Sequence, residues 1–324
     1  MTPKKKSNVS VIISAAAIVL VIAFVALAGS GVFSKNKLDD KKDTGKKTEA
    51  EAQEDAEDEG EDAAEAEEKP AKEEAADAQA DEEEEAAEAE PGEFTYNVTD
   101  DGVEITGMAS EEGKSIVIPD EIDGKPVTSI GEGAFRGSKA VSITIPDSVT
   151  VIGNLAFREC PNLKEITIPA SCVSIGDHAF NKCTALTSIT LPEGLKSIGI
   201  GALYQCKNLT SLTLPDSLET IGARAIFSCK KLTELVIPDG VKAISDYLCA
   251  DCSGLTSVTL PSAAESIGKQ AFKGCSSLES IEIPESVTSI SKDSFKGCDK
   301  LTAKVAAGSY AEDFCKTNEI AFEN

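Results

Sequence analysis

The sequence predicts a repeat solenoid of the α/β type, in which each 23-residue coil places one short parallel strand beside the strand of the next coil. Two observations support this prediction. Cysteines recur every 23 residues from Cys160 to Cys298, and prolines recur with the same period from Pro146 to Pro284. A fixed period of about 20 to 50 residues is typical of solenoids, because one unit cannot bury its apolar face alone and stacks on its neighbours.

The composition divides the 324 residues into three segments. We interpret them as an N-terminal membrane anchor at 1–34, an acidic linker at 35–93 and the repeat domain at 94–324. The formal net charge is -25, and the stretch 49–90 holds 22 acidic residues against only Lys69 and Lys72. Because so acidic a chain is repelled by nucleic acid and by anionic lipid, we expect no nucleic-acid partner.

The N-terminal segment has the pattern of a membrane anchor. Three lysines at 4–6 precede an uncharged run at 7–34, whose most apolar part is 9–28. About 20 apolar residues in a helix cover a hydrocarbon core of about 30 Å, and the lysines favour a cytoplasmic N-terminus. The sequence therefore predicts a transmembrane helix with the repeats outside the cell. The alternative is a signal peptide cleaved near Ala28, which would release the repeats as a secreted protein.

The second segment, 35–93, consists largely of Glu, Asp, Ala and Lys, and beyond Leu38 its only aliphatic or aromatic residue type is Ala. This composition cannot bury enough apolar surface to offset the conformational entropy of folding. We predict a disordered linker that acts as a stalk and holds the repeats away from the membrane.

Within each coil, the apolar residues follow a strand pattern. Leu163, Ile166 and Ile168 alternate with polar residues, and Pro169 ends the run. A second apolar cluster, such as Ile175 and Phe180, is predicted to fill the interior of the coil. The glycines that follow its isoleucine suit a tight bend and stand at Gly153, Gly176, Gly199, Gly222 and Gly268.

The combined pattern Cys-x-x-Leu-x-x-Ile-x-Ile-Pro followed by Ile-Gly-x-x-Ala-Phe closely resembles the BspA-like class of bacterial leucine-rich repeats over about 94–324. The resemblance implies a leucine-rich repeat fold. It also implies a surface or secreted protein, since many members of the family are linked to adhesion and protein binding. The asparagine of other leucine-rich repeats is replaced by Ser171, Gly194, Ser217 and Gly240, so we expect no asparagine ladder.

Ten cysteines in an exported protein ordinarily suggest disulfides. Seven of them, however, share one column of the repeat, where neighbouring coils are about 4.8 Å apart and the Cα–Cβ bonds run parallel. We predict a ladder of buried, reduced thiols. Cys249 and Cys252 match a CxxC motif, but both fall on interior positions, and we interpret the match as chance.

Catalytic arrangements are poorly supported by the sequence. His178 is the only histidine, and we expect it at the surface. Without a second histidine, a Ser-His-Asp or Cys-His arrangement would depend on that residue, and no phosphate-binding glycine loop is present. The sequence therefore predicts that the protein is not an enzyme and uses no cofactor, metal or small-molecule substrate.

A binding surface is the remaining functional prediction. Tyr204 and Phe227 share a column that other coils fill with Arg or Lys, and Tyr247 should lie close by on the next coil. Exposed aromatic residues on adjacent coils are suited to anchor a partner. We predict that these three residues bind a protein or surface glycan in an adhesion module on the acidic stalk. Two alternatives remain. The aromatic side chains are half-buried and only pack against the convex side of the solenoid, or the protein is a structural envelope element with no specific ligand.

Overall fold

The computed structural model describes residues 94–108 and 115–324. These residues form a β-solenoid whose strands pair with partners 23 residues away, as Ile175 does with Ile198. The predicted transmembrane helix at 1–34 and the predicted acidic linker at 35–93 lie outside the described residues. Within the described ranges, no helix combines the length and the apolarity required to cross a membrane.

The described residues contain these strands and helix, in chain order: β1 Phe94–Val98, β2 Val103–Met108, β3 Ser115–Val117, β4 Glu121–Ile122, β5 Lys125–Ile130, β6 Ser142–Thr144, β7 Val151–Ile152, β8 Glu165–Thr167, β9 Ser174–Ile175, β10 Ser188–Thr190, β11 Ser197–Ile198, β12 Thr220–Ile221, β13 Glu234–Val236, β14 Ala243–Ile244, β15 Ser257–Thr259, β16 Ser266–Ile267, β17 Ser280–Ile283, β18 Ser289–Ile290, β19 Thr302–Val305, α1 Tyr310–Thr317 and β20 Ala321–Glu323.

The prediction of an α/β solenoid with one strand per coil is wrong in one respect. Most coils carry two strands, for example β8 on one side and β9 on the other, and the described repeats are joined by turns rather than helices. We call the strands of the Ile-x-Ile segment the front strands and those before the glycine column the back strands. Within both sets, strands of neighbouring coils pair in parallel, as β8 does with β10 and β9 with β11, although the front strands β6 and β8 do not pair. The architecture is therefore a β-solenoid.

The two ends of the described solenoid are built differently from its middle. At the N-terminal end, β1 pairs antiparallel with β2, and β2 continues in parallel into the back strands through β5. At the C-terminal end, Ser309 is the N-cap of α1, and its Oγ accepts a hydrogen bond from the Glu312 N–H at 3.2 Å. The Gly308 N–H donates to the Glu312 carboxylate at 2.7 Å, and this bond, with Lys316, lowers the Glu312 pKa. These two bonds resemble a capping box, except that the Glu312 carboxylate accepts from the residue before the N-cap rather than from the N-cap itself.

The interior is a set of columns in which equivalent side chains stack from coil to coil. The rings of Phe135, Phe157 and Phe180 form one such column, with centroids 5.4 and 5.1 Å apart and nearly parallel planes. Phe272 and Phe295 repeat the arrangement at 5.5 Å nearer the C-terminus. The leucines and isoleucines of the predicted strand pattern are buried in the same core. The sequence period therefore identified the interior correctly.

The seven cysteines of the repeat column hold neighbouring coils together by hydrogen bonds. Each thiol donates to the backbone carbonyl at the Phe position of the preceding coil, at 3.0 to 3.3 Å; two examples are Cys183 to Phe157 and Cys206 to Phe180. All ten cysteines are buried, and no disulfide joins them. Burial raises the pKa of the Cys206 thiol to about 12. The prediction of a buried thiol ladder is confirmed, and the structure adds that the thiols satisfy backbone acceptors.

Serine supplies a second ladder at the positions where other leucine-rich repeats carry asparagine. The hydroxyls of Ser171 and Ser217 donate to the carbonyls of Val149 and Leu195, 22 residues earlier, at 2.6 and 2.7 Å. Ser148 and Ser286 make equivalent bonds. A buried carbonyl without a partner costs about 1 to 3 kcal/mol, so this column helps to fix the spacing of the coils.

The glycine column has a different cause from the predicted one. Gly153, Gly176, Gly199, Gly222 and Gly268 are absent from the described residues with positive φ, so a tight left-handed bend does not explain them. Instead, successive coils approach closely at this column. A Cβ on Gly199 would lie 2.6 Å from both the Gly176 carbonyl carbon and the Asp177 nitrogen. At these five positions the backbone of the preceding coil occupies the space of a side chain, whereas two other coils carry Ser245 and Ser291 in the same column.

The strand pairing is interrupted between the coil at 206–228 and the coil at 229–251. Among the described strands, β12 pairs with β11 and β14 pairs with β16, but β12 and β14 do not pair. On the front side, the segment 211–213 forms no strand between β10 and β13. The turns remain joined, since the Arg224 and Ser228 N–H groups donate to the carbonyls of Asp246 and Ala250 at 3.0 and 2.8 Å. The two coils are therefore linked mainly along one side.

Candidate functional site

The predicted aromatic residues lie in the turns that follow the back strands. In each coil a six-residue turn, such as 223–228, is followed by a second turn, such as 230–231. We call the surface formed by these two turns in successive coils the turn face. In most coils the six-residue turn has positive φ at its second and last residues, as at Arg224 and Ser228. Because this conformation recurs along the solenoid, we interpret it as part of the coil geometry rather than as strain confined to a functional site.

Tyr204 and Phe227 contact each other on the turn face. Their rings stack with centroids 4.8 Å apart and planes 8° apart. Both side chains are half-buried. Equivalent positions in other coils carry Arg136, Arg158 and Lys273, so the solenoid does not require an aromatic ring there. The pair is a local feature that leaves part of two rings accessible on adjacent coils.

Tyr247 is also half-buried, but the structure places it against a cation rather than in the aromatic stack. The guanidinium carbon of Arg224 lies 4.4 Å from the centroid of the Tyr247 ring, and the Lys269 amine lies 5.8 Å from it. Both distances fit cation–π contacts. Of the three predicted site residues, Tyr204 and Phe227 thus contact each other, and Tyr247 holds Arg224 in place beside Phe227 in the same turn.

A second cluster of charge lies nearer the N-terminal end of the turn face. The Glu159 carboxylate accepts hydrogen bonds from Arg158 at 3.1 and 3.3 Å. The Arg136 guanidinium and the Lys182 amine approach the same carboxylate to 4.0 and 3.9 Å. Three cations thus surround one anion, and all four side chains are partly exposed. The cluster carries two positive charges in excess.

The distribution of charge over the described residues is uneven. The turn face contains 12 basic residues: Arg136, Arg158, Lys182, Lys207, Arg224, Lys230, Lys231, Lys269, Lys273, Lys292, Lys296 and Lys300. It contains seven acidic residues: Glu132, Glu159, Asp177, Asp246, Asp251, Asp293 and Asp299. The remaining described residues hold seven basic against 21 acidic side chains. The turn face is therefore a basic surface on an otherwise acidic solenoid.

His178 differs from the prediction of a surface residue. It is half-buried, and its Nδ1 lies 2.9 Å from the side-chain nitrogen of buried Asn181. This contact could not be predicted from the sequence, because His178 stands at a position that varies between coils. Within the described residues, no group of three or more His, Cys, Asp or Glu side chains is arranged to hold a metal ion.

The comparison with protein families identifies the repeat. The family model described as BspA type Leucine rich repeat region (6 copies) matches residues 110–230 and 196–316. The chain belongs to the BspA-type leucine-rich repeat family. Among curated proteins, no relative matches this chain.

Two solved structures of leucine-rich repeat proteins are similar to this BspA-type protein. One is the T. pallidum leucine-rich repeat protein, with 34% identity and a TM-score of 0.56; the match covers 59% of this chain and 91% of that one. The other is a leucine-rich repeat protein from Bacteroides ovatus, with 32% identity and a TM-score of 0.60 over 66% of this chain. The match spans 58% of the B. ovatus chain. Both similarities support the fold of the repeat domain.

Sequence reasoning missed two features of the turn face. The Arg and Lys residues of other coils served only as contrasts to Tyr204 and Phe227, so the excess of basic side chains on this face was not identified. Sequence reasoning also grouped Tyr247 with the other aromatics, although Arg224 stands 23 residues before Tyr247 in the same column. A count of charges in the turns of each coil would have found the excess of basic side chains. The spacing of 23 residues would have indicated the contact between Arg224 and Tyr247.

Proposed function

We propose that this BspA-type leucine-rich repeat protein is a non-catalytic binding module that holds a protein partner on its turn face. The observation that supports this function is the stack of Tyr204 on Phe227, in a column where other coils use charged side chains. Aromatic residues bury much area at small entropic cost and dominate interface energies. The front strands expose mostly Ser and Thr, which are rarely hot spots.

The position of Arg224 strengthens the proposal. Tyr247 holds the Arg224 guanidinium at 4.4 Å, so less side-chain freedom is lost when a partner binds this group. Arg, Tyr and Trp are the residues most enriched among interface hot spots. The turn face therefore provides the stacked rings of Tyr204 and Phe227, together with the Arg224 cation packed on the Tyr247 ring.

Replacing Tyr204, Phe227 and Tyr247 together by Ser should weaken partner binding by about 2 kcal/mol or more, roughly 30-fold, because the apolar centre of the contact is lost. The measurement is capture of surface proteins by immobilised full-length protein, followed by titration of the captured partner. Circular dichroism checks that the variant keeps its fold. Since other coils carry polar or charged residues at these positions, we expect no structural damage.

The control variant changes the front side of the solenoid at Ser211 and Thr213, in the segment without a strand, and at Glu234 and Val236 in β13, and it should bind normally. If this set abolishes binding while the aromatic set has no effect, the front strands are the binding surface and the proposal fails. If no partner is captured by any variant, a structural envelope element without a specific ligand is the better description.

We further propose that the repeats are displayed outside the cell, on an acidic stalk anchored by the apolar N-terminal segment. The three lysines at 4–6 followed by the apolar run at 9–28 support this orientation. Protease added to intact cells should remove the repeats and leave a small membrane-bound fragment. Intact repeats after this treatment would contradict display, and a mature N-terminus near Gly29 would indicate secretion instead.

A further inference from the structure

Each of the first five coils of the turn face carries at least one basic residue. These coils contribute Arg136, Arg158, Lys182, Lys207, Arg224, Lys230 and Lys231. We call these residues the basic ridge. Consecutive coils in such a stack are about 4.8 Å apart, so the ridge extends over about 19 Å. The sixth coil ends it, since its turns carry Asp246 and Asp251 and no basic residue.

The structure arranges several of these cations for an external anion. Arg136, Arg158 and Lys182 share the single carboxylate of Glu159, so ion pairing within the chain leaves positive charge unneutralised. Arg224 is held against the Tyr247 ring, which contributes no charge of its own. Lys207, Lys230 and Lys231 are exposed. The ridge therefore presents positive charge in each of five consecutive coils.

The surroundings of the ridge limit the kind of anion that fits. The faces beside it are acidic, with exposed Glu165 and Glu234 on the front strands and Glu219 beside the back strands. A broad acidic protein surface would overlap these carboxylates and be repelled, whereas a thin linear chain can remain over the ridge. Charges more than about 8 Å away are largely screened at physiological salt, so the local excess of positive charge on the ridge decides whether an anion binds.

We propose that the basic ridge binds a linear anionic polysaccharide whose sugars carry charged groups, with the chain parallel to the solenoid axis. This ligand is additional to the protein contact proposed above and depends on the basic side chains rather than on the aromatic rings, with Arg224 common to both. A single-stranded nucleic acid is the other thin polyanion, but it binds strongly where aromatic faces are open for base stacking. Tyr204 and Phe227 stack on each other and so occupy one face of each ring. The geometry therefore favours the polysaccharide.

The test uses full-length protein and heparin, a sulfated polysaccharide, as the probe. The ridge variant carries Lys182→Gln, Lys207→Gln, Lys230→Gln and Lys231→Gln. The control variant carries Lys164→Gln, Lys196→Gln, Lys242→Gln and Lys304→Gln, which removes the same charge from exposed lysines outside the turn face. We expect the ridge variant to lose at least ten-fold in heparin affinity and the control less than two-fold. The affinity of the unmodified protein should fall as salt rises, because binding releases counterions.

Equal losses in both variants, or no heparin binding by the unmodified protein, would overturn the proposal. Two further probes test the class of ligand: poly-glutamate stands for an acidic polypeptide, and oligo-dT for single-stranded nucleic acid. If either binds as tightly as heparin, the ridge does not select a polysaccharide and the proposal fails in that form. The variant with Tyr204, Phe227 and Tyr247 replaced should keep its heparin affinity within about three-fold. Failure of the polysaccharide proposal can therefore be distinguished from failure of the protein-binding proposal.

Discussion

Replacing Phe157 by Ala is expected to lower the free energy of unfolding by about 3 to 5 kcal/mol. The Phe157 side chain is fully buried, and its ring is stacked between Phe135 and Phe180. Removing it leaves a cavity at the centre of a column, and the neighbouring rings cannot close it, because hydrogen bonds between the coils fix their spacing. Urea unfolding monitored by circular dichroism measures the loss.

The matched control for this change is Val236→Ala, which truncates an apolar side chain that is 60% exposed. Its effect should stay within about 0.5 kcal/mol, as for most surface substitutions. If the two variants unfold at the same urea concentration, stacking in the phenylalanine column does not determine stability. Because unfolding of a repeat protein is not always two-state, hydrogen exchange of amides near Phe157 provides a second measurement.

Replacing Gly199 by Ala is expected to destabilise the protein by about 2 to 3 kcal/mol, although Ala normally restricts the unfolded chain and stabilises. The new Cβ would lie 2.6 Å from backbone atoms of Gly176 and Asp177. Backbone cannot move away as the end of a flexible side chain can, so the two coils must separate. The loss should appear in the same urea titration.

Gly194→Ala is the control, since it adds the same methyl group at a less crowded place. The nearest atom to its Cβ would be the Ala170 carbonyl oxygen at 3.2 Å, and equivalent positions carry Ser171 and Ser217. We expect a change of less than about 1 kcal/mol. Should Gly199→Ala be as stable as Gly194→Ala, close approach of the coils would not explain the glycine column.

The interior could be predicted from the sequence because a period of 23 residues places equivalent side chains in register. Leu163, Phe180 and Cys206 were all identified in this way, and all are buried. The back strands were missed, since a pair such as Ser174 and Ile175 is too short to show an alternating pattern. The glycine column was found for the wrong reason, because close approach of two coils depends on residues 23 apart and not on the local chain.

The candidate site was only partly predictable, because its contacts join different coils. The sequence identified Tyr204 and Phe227 as neighbours, and the structure confirms that their rings stack. It did not identify the contact of Arg224 with Tyr247, which requires knowing that the guanidinium extends toward the next coil. That these residues bind a partner stays a prediction.

The interruption of strand pairing after the coil at 206–228 affects how the solenoid responds to stress. In a stack of repeats, stability is the sum of the stability of each coil and a coupling term between neighbours. At this junction the coupling rests on the turns, where Arg224 and Ser228 donate to the carbonyls of Asp246 and Ala250. Two side-chain bonds add to it, from the Cys252 thiol to the Ile226 carbonyl and from the Ser245 hydroxyl to the Ile221 carbonyl. The strands on the other sides contribute no ladder bonds there. A pulling force along the chain would therefore part the solenoid first at this junction, and the segments before and after it would unfold as separate cooperative units.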